Sequence, residues 1–150
     1  MTQNKFLIVI AAMLMITITS CNGNVGSPEY MQAKARILNH VKFSGEIVWL
    51  KASGNHDYGI IGIKVSSASI NEFYDSIKGA IFPYRLRGEY AEFYGYVPFK
   101  AKIGNKIILD SDKRMMDIYD NDTLIIRTDV EVSFEERNMK FVRKNSKFKE

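Results

Sequence analysis

From Val41 onward apolar residues stand at every second place: Val41, Phe43, Gly45, Ile47 and Trp49 alternate with Lys42, Ser44 and Glu46. A period of two predicts a half-buried strand. Ser53-Gly54-Asn55-His56-Asp57 follows as a turn cluster, and Tyr58 to Val65 then places Ile61, Ile63 and Val65 on one face, so the two runs predict a hairpin. Further strands are expected over Ile81 to Arg87, Tyr90 to Phe99, Lys102 to Asp110 with a turn at Gly104-Asn105, and Arg114 to Tyr119. After the Asp120-Asn121-Asp122 turn, Leu124, Ile126, Thr128, Val130 and Val132 alternate with Arg127, Asp129 and Glu131, and Met139 to Arg143 would close the sheet.

Two segments have helical spacing instead. Ser27, Pro28 and Glu29 suit an N-cap, a first-turn proline and a first-turn acid, ahead of Tyr30, Ala33, Ile37, Leu38 and Val41, which predicts a helix near 28–39. Ser69 with Glu72 three residues on has the form of a capping box, and Ile70, Phe73, Tyr74 and Ile77 make a stripe that stops at Gly79, predicting a helix near 70–78. The fold class expected is therefore mainly β, a β-rich α+β domain. Its architecture would be a single antiparallel sandwich or a small partly open barrel with two short helices.

The N-terminal pattern differs from all of these. Phe6 to Ile18 is an unbroken apolar and small-residue run of 13 residues behind Lys5. A helix of that length covers roughly 20 Å, short of the ~30 Å hydrocarbon core of a bilayer. The run suits a secretory signal better than a permanent span. It ends in Ile18-Thr19-Ser20-Cys21, and Cys21 is the single cysteine of the chain. This ending resembles the lipobox of bacterial lipoproteins, whose cysteine receives diacylglycerol and further palmitate-type acyl chains. The resemblance implies removal of residues 1–20, a lipid-modified Cys21, a tether over 21–27 (Asn22-Gly23-Asn24-Val25-Gly26-Ser27) and one domain over 28–150. Two or three acyl chains on one cysteine hold a protein stably to a membrane.

Composition sharpens that picture. With Cys21 acylated no thiol remains for a disulfide, so the domain must be held by its core alone, and 130 residues suffice for that. Loss of Lys5 lowers the formal charge from +4 to +3, too mild a balance to imply a nucleic-acid partner. Charge is uneven, however: five aspartates lie between Asp110 and Asp122, and six basic residues with no acid lie between Arg137 and Lys149. A basic C-terminus in a tethered protein suits an anionic envelope surface, and its plain reading is a solvated end.

Candidate chemistry is sparse. Asn55, His56 and Asp57 are the one dense polar constellation, and His beside a carboxylate suits a general base, although a hairpin turn accounts for the same residues. His40, at the predicted helix-to-strand junction, reads as structural. Two histidines and no spare cysteine do not compose a metal signature, and no phosphate loop or nucleophile elbow is present. No cofactor is expected. Glu89 and Glu92 fall on opposite faces of a strand, which argues against a glycosidase pair.

The strand from Tyr90 to Phe99 offers the best binding surface. Ala91, Phe93, Gly95, Val97 and Phe99 form a core side, while Tyr90, Glu92, Tyr94 and Tyr96 form an aromatic and acidic ladder, with Arg85 and Arg87 nearby as donors. Tyrosines of this kind stack on sugars or anchor protein partners, or else lie beneath another element with their hydroxyls reaching water. The stretch from Phe43 through Asn55-His56-Asp57-Tyr58-Gly59-Ile60-Ile61 and on to Ala91-Glu92-Phe93-Tyr94 resembles small uncharacterised lipoproteins of Bacteroides-type bacteria, a likeness that brings no activity with it. Asn22-Gly23-Asn24 lacks the acidic run such bacteria place after the cysteine of surface-exposed lipoproteins, which favours an outer-membrane protein facing the periplasm. The expectation is a membrane-anchored, non-enzymatic binding or accessory domain for an envelope glycan or protein partner. The alternatives are a small envelope hydrolase using His56 and Asp57, or an inhibitor presenting residues 53–57 to an envelope-degrading enzyme.

Overall fold

The alternation beginning at Val41 becomes β1, Lys42–Ala52, which pairs antiparallel with β2, Tyr58–Ala68. The computed structural model describes residues 26–54 and 58–148. Cys21 and the Asn55, His56, Asp57 cluster thus lie outside the described residues. The remaining strands are β3 (Glu72–Phe73), β4 (Tyr84–Arg87), β5 (Tyr90–Tyr96), β6 (Lys106–Asp110), β7 (Met115–Asp120) and β8 (Thr123–Asp129). They form one antiparallel sheet in the order β3-β4-β5-β2-β1-β6-β7-β8. The fold is mainly β, as the alternation predicts. All eight described strands belong to a single open sheet. Ile81, ahead of β4, forms a lone antiparallel bridge with Ser133, beyond β8, so the segments flanking the two ends of the sheet are tied together.

One face of this sheet carries the main core. Phe43, Ile47, Ile61, Ile63, Leu86, Phe93, Ile107, Leu109, Met116 and Ile118 are all buried in it. Each fully buried side chain of this size contributes roughly 1.5–3 kcal/mol. The period-two reading of β1 holds only as far as Ile47. There the register shifts, Val48 becomes the extra residue, and Trp49 turns to the opposite face against Gly62. Gly62 admits this because a Cβ there would collide with the Trp49 ring. In the β7–β8 pair a shift between Ile118 and Tyr119 makes Ile125 the extra residue in β8, so Ile125 and Ile126 both pack against the core and Leu124 is left exposed. The turn into β8 has positive φ at Asn121 and Asp122, the residues that best tolerate a primed hairpin turn.

Two helices are described, α1 at Pro28–Arg36 and α2 at Glu136–Asn145. The chain divides into a unit Met1–Gln32 and a unit Ala33–Glu150. Within the described part of the first, Ser27 caps α1 as expected, its Oγ accepting from the Tyr30 N–H at 3.2 Å. No described helix is long and apolar enough to cross a membrane.

The helix expected over 70–78 does not form. Ser69 Oγ accepts from the Lys42 N–H at 2.9 Å and donates to the His40 carbonyl, while Glu72 pairs with Arg87 across β3 and β4. Both residues of the apparent capping box are thus spent on strand pairing. The second helix is α2, in the segment read as a closing strand. Phe99, expected on the core face, is 85% exposed, because β5 ends at Tyr96 and Pro98 has no N–H to continue the ladder.

Candidate functional site

The outer face of β2 and β5 is covered by α2. Val142 and Phe141 of the helix pack on Ile60, Tyr94, Trp49, Tyr58 and Ile81, a second apolar cluster distinct from the main core. Asn138, Phe141, Val142 and Asn145 recur at i, i+3, i+4 and i+7, which gives α2 the stripe it lays on the sheet. The chain then leaves the helix at Ser146, whose N–H still donates to the Val142 carbonyl at 2.8 Å, and runs across the sheet as Ser146-Lys147-Phe148.

That tail is fastened to Glu92. The Glu92 carboxylate is fully buried and accepts four hydrogen bonds: from Tyr90 Oη at 2.9 Å, Tyr94 Oη at 2.9 Å, Ser146 Oγ at 2.6 Å and the Lys147 N–H at 2.8 Å. Four donors satisfy the lone pairs of an ionised carboxylate without a salt bridge. Burial, reinforced by the Glu92 charge, pushes the Tyr94 hydroxyl far above the ordinary phenol range. Tyr90 is raised in the same way by burial and by Glu92, against the opposing hydrogen bond from Trp49 Nε1 at 2.7 Å. Both tyrosines therefore stay protonated and act as donors to Glu92.

Phe148 completes the layer. Its ring stands 5.3 Å from that of Tyr90, and the Arg85 guanidinium lies between Phe148 and Tyr74, 4.7 Å from one ring centroid and 4.3 Å from the other. Lys147 Nζ sits 4.7 Å over the Trp49 ring. Beside this stack opens a cavity of about 370 Å³ between the β3–β4 edge and the end of α2. Its walls are aromatic and aliphatic (Tyr74, Ile77, Phe82, Phe148), and its charged side chains are Arg85, Arg143, Lys144 and Asp75. Asp75 is held by a two-pronged contact from Arg36.

The residues expected to bind thus separate. Tyr90, Tyr94, Arg85 and Arg87 come together around Glu92 and Phe148, but Tyr94 is buried under α2, and its ring is no open stacking platform. Tyr96 stands at the far end of β5, paired with Tyr58 and half exposed. Arg85 lines the cavity and Arg87 lies outside it, pairing with Glu72. The strand pattern missed Tyr74, Ser146 and Phe148. A helical rather than period-two reading of Asn138 to Asn145 would have brought the tail into view. Among the described residues no group of three His, Cys, Asp or Glu side chains is placed to hold a metal ion. His40 Nδ1 contacts Asp112 at 2.9 Å on an exposed corner away from the cavity. Comparison of the chain with family models, with curated proteins and with solved structures gives no match.

Proposed function

We propose that this chain is a cell-envelope lipoprotein, lipid-anchored at Cys21 to a bacterial membrane, whose domain is a non-enzymatic binding module for an envelope saccharide. The observation that carries the binding reading is the cavity flanked by the Tyr74–Arg85–Phe148 stack. A volume of about 370 Å³ suits a ligand of one or two sugar rings, within the roughly 300–1,000 Å³ of small-molecule sites. Flat aromatic faces meet the apolar faces of a sugar ring, and a guanidinium fixed between two rings offers its donors without losing much side-chain freedom. The anchor is supported by the apolar run that ends in Ile18-Thr19-Ser20-Cys21. An outer-membrane position facing the periplasm is part of the same proposal.

The test is capture of saccharide from an envelope extract by the immobilised protein, with the eluate analysed for carbohydrate. The wild-type chain and a Tyr96→Ala control are expected to retain sugar, and Tyr74→Ala combined with Phe148→Ala to lose it. Equal retention by all three proteins would move the site away from the cavity.

A further inference from the structure

Resting on the saccharide reading, we infer that the cavity takes an acidic sugar, one bearing a carboxylate or phosphate group. The inference comes from the charges around the cavity. Arg85, Arg143 and Lys144 line it, and none of the three makes a salt bridge among the described residues. Among the described residues Asp75 is the single acid of the lining, and Arg36 already occupies its carboxylate. Three cations against Asp75 leave two positive charges. Adding Arg36 and Glu92, one of each sign, leaves that balance unchanged.

Glu92 does not consume Arg85, although the two are cross-strand partners. Its oxygens are filled by Tyr90, Tyr94, Ser146 and Lys147, three hydroxyls and a backbone N–H. The protein therefore satisfies its buried carboxylate with uncharged donors, and among the described residues the neighbouring guanidinium at the cavity wall has no carboxylate partner. Guanidinium groups recognise planar carboxylates and phosphates through paired hydrogen bonds. Arg143 and Lys144, exposed near the C-terminal end of α2, add attraction that salt screens. Aromatic walls for the ring and cations for the acid group make one site.

Isothermal titration of the full chain with matched pairs tests this: glucose against glucuronate and glucose 6-phosphate, N-acetylglucosamine against N-acetylmuramate, and inorganic phosphate alone. Acidic members are expected to bind at least about tenfold more tightly than their neutral partners, one charge-assisted hydrogen bond being worth roughly that factor. The gap should narrow at 0.5 M NaCl. Glucuronate and N-acetylmuramate report a carboxylate ligand, glucose 6-phosphate a phosphorylated one. Arg85→Gln, and separately Arg143→Gln with Lys144→Gln on the exposed helix end, should each weaken the acidic members more than their neutral partners and so reduce the acidic preference. Neutral sugars binding as well as acidic ones would overturn the inference and leave the saccharide reading standing. Inorganic phosphate binding as tightly as glucose 6-phosphate would uphold the anion site and overturn the saccharide reading, and no binding across the panel would overturn both.

Discussion

Glu92 shows how much a single position depends on distant chain. Alternation along β5 assigns it to the face of Tyr90 and Tyr94, and that is where it lies. What alternation cannot register is that Ser146 and Lys147, more than fifty residues away, cover that face and supply half of its hydrogen bonds. An acid that looks solvated is in fact fully buried. Glu92→Ala would leave two hydroxyls of β5, the Ser146 hydroxyl and a tail N–H without their acceptor. Each orphaned buried donor costs about 1–3 kcal/mol, so a loss of about 3 kcal/mol or more in urea unfolding is expected. A loss under about 1 kcal/mol would show the carboxylate to be dispensable to the fold. Trp49 carries the same lesson: a one-residue bulge at Val48, which no local propensity marks, turns it from the expected core face to the outer one.

At the scale of elements, strands were easier to read than helices. β1, β2, β5 and β7 follow directly from alternation and β-branched or aromatic content, because a strand with one buried face repeats every second residue. Ser69 and Glu72 satisfy a capping pattern, yet tertiary pairing with His40, Lys42 and Arg87 outweighs a local signal worth about 1 kcal/mol. In α2 the adjacent Phe141 and Val142 fit either period, and only their packing on Ile60 and Tyr94 decides for helix. The tail after α2 is the element on which the candidate site depends. Trp49, the sole tryptophan, lies under Lys147 and is bonded to Tyr90, and therefore reports on it. Ending the chain at Asn145 should red-shift Trp49 emission and raise its quenching by iodide. Unchanged emission and quenching would mean that the tail does not cover this face.

For the whole molecule, the sequence led to the mainly β class with antiparallel pairing, but left sandwich or barrel open and did not reach the strand order. β5 pairs with β2, and β6 with β1, across connections whose partners are distant in sequence. That order sets Arg85 opposite Glu92 and brings β3–β4 beside the end of α2, which is how Tyr74 and Phe148 come to flank one guanidinium. The cavity is thus a product of topology rather than of any motif, and the polar cluster Asn55, His56, Asp57, the most conspicuous chemistry in the sequence, lies outside the described residues. The central claim is that this cavity receives a sugar. Its most direct test is an amide chemical-shift titration of the ¹⁵N-labelled full chain with N-acetylmuramate. The account predicts saturable shifts at Tyr74, Ile77, Arg85, Lys144 and Phe148, with Ile107 and Met116 in the main core unmoved. Shifts confined to β7 and β8, or none at the cavity, would contradict it.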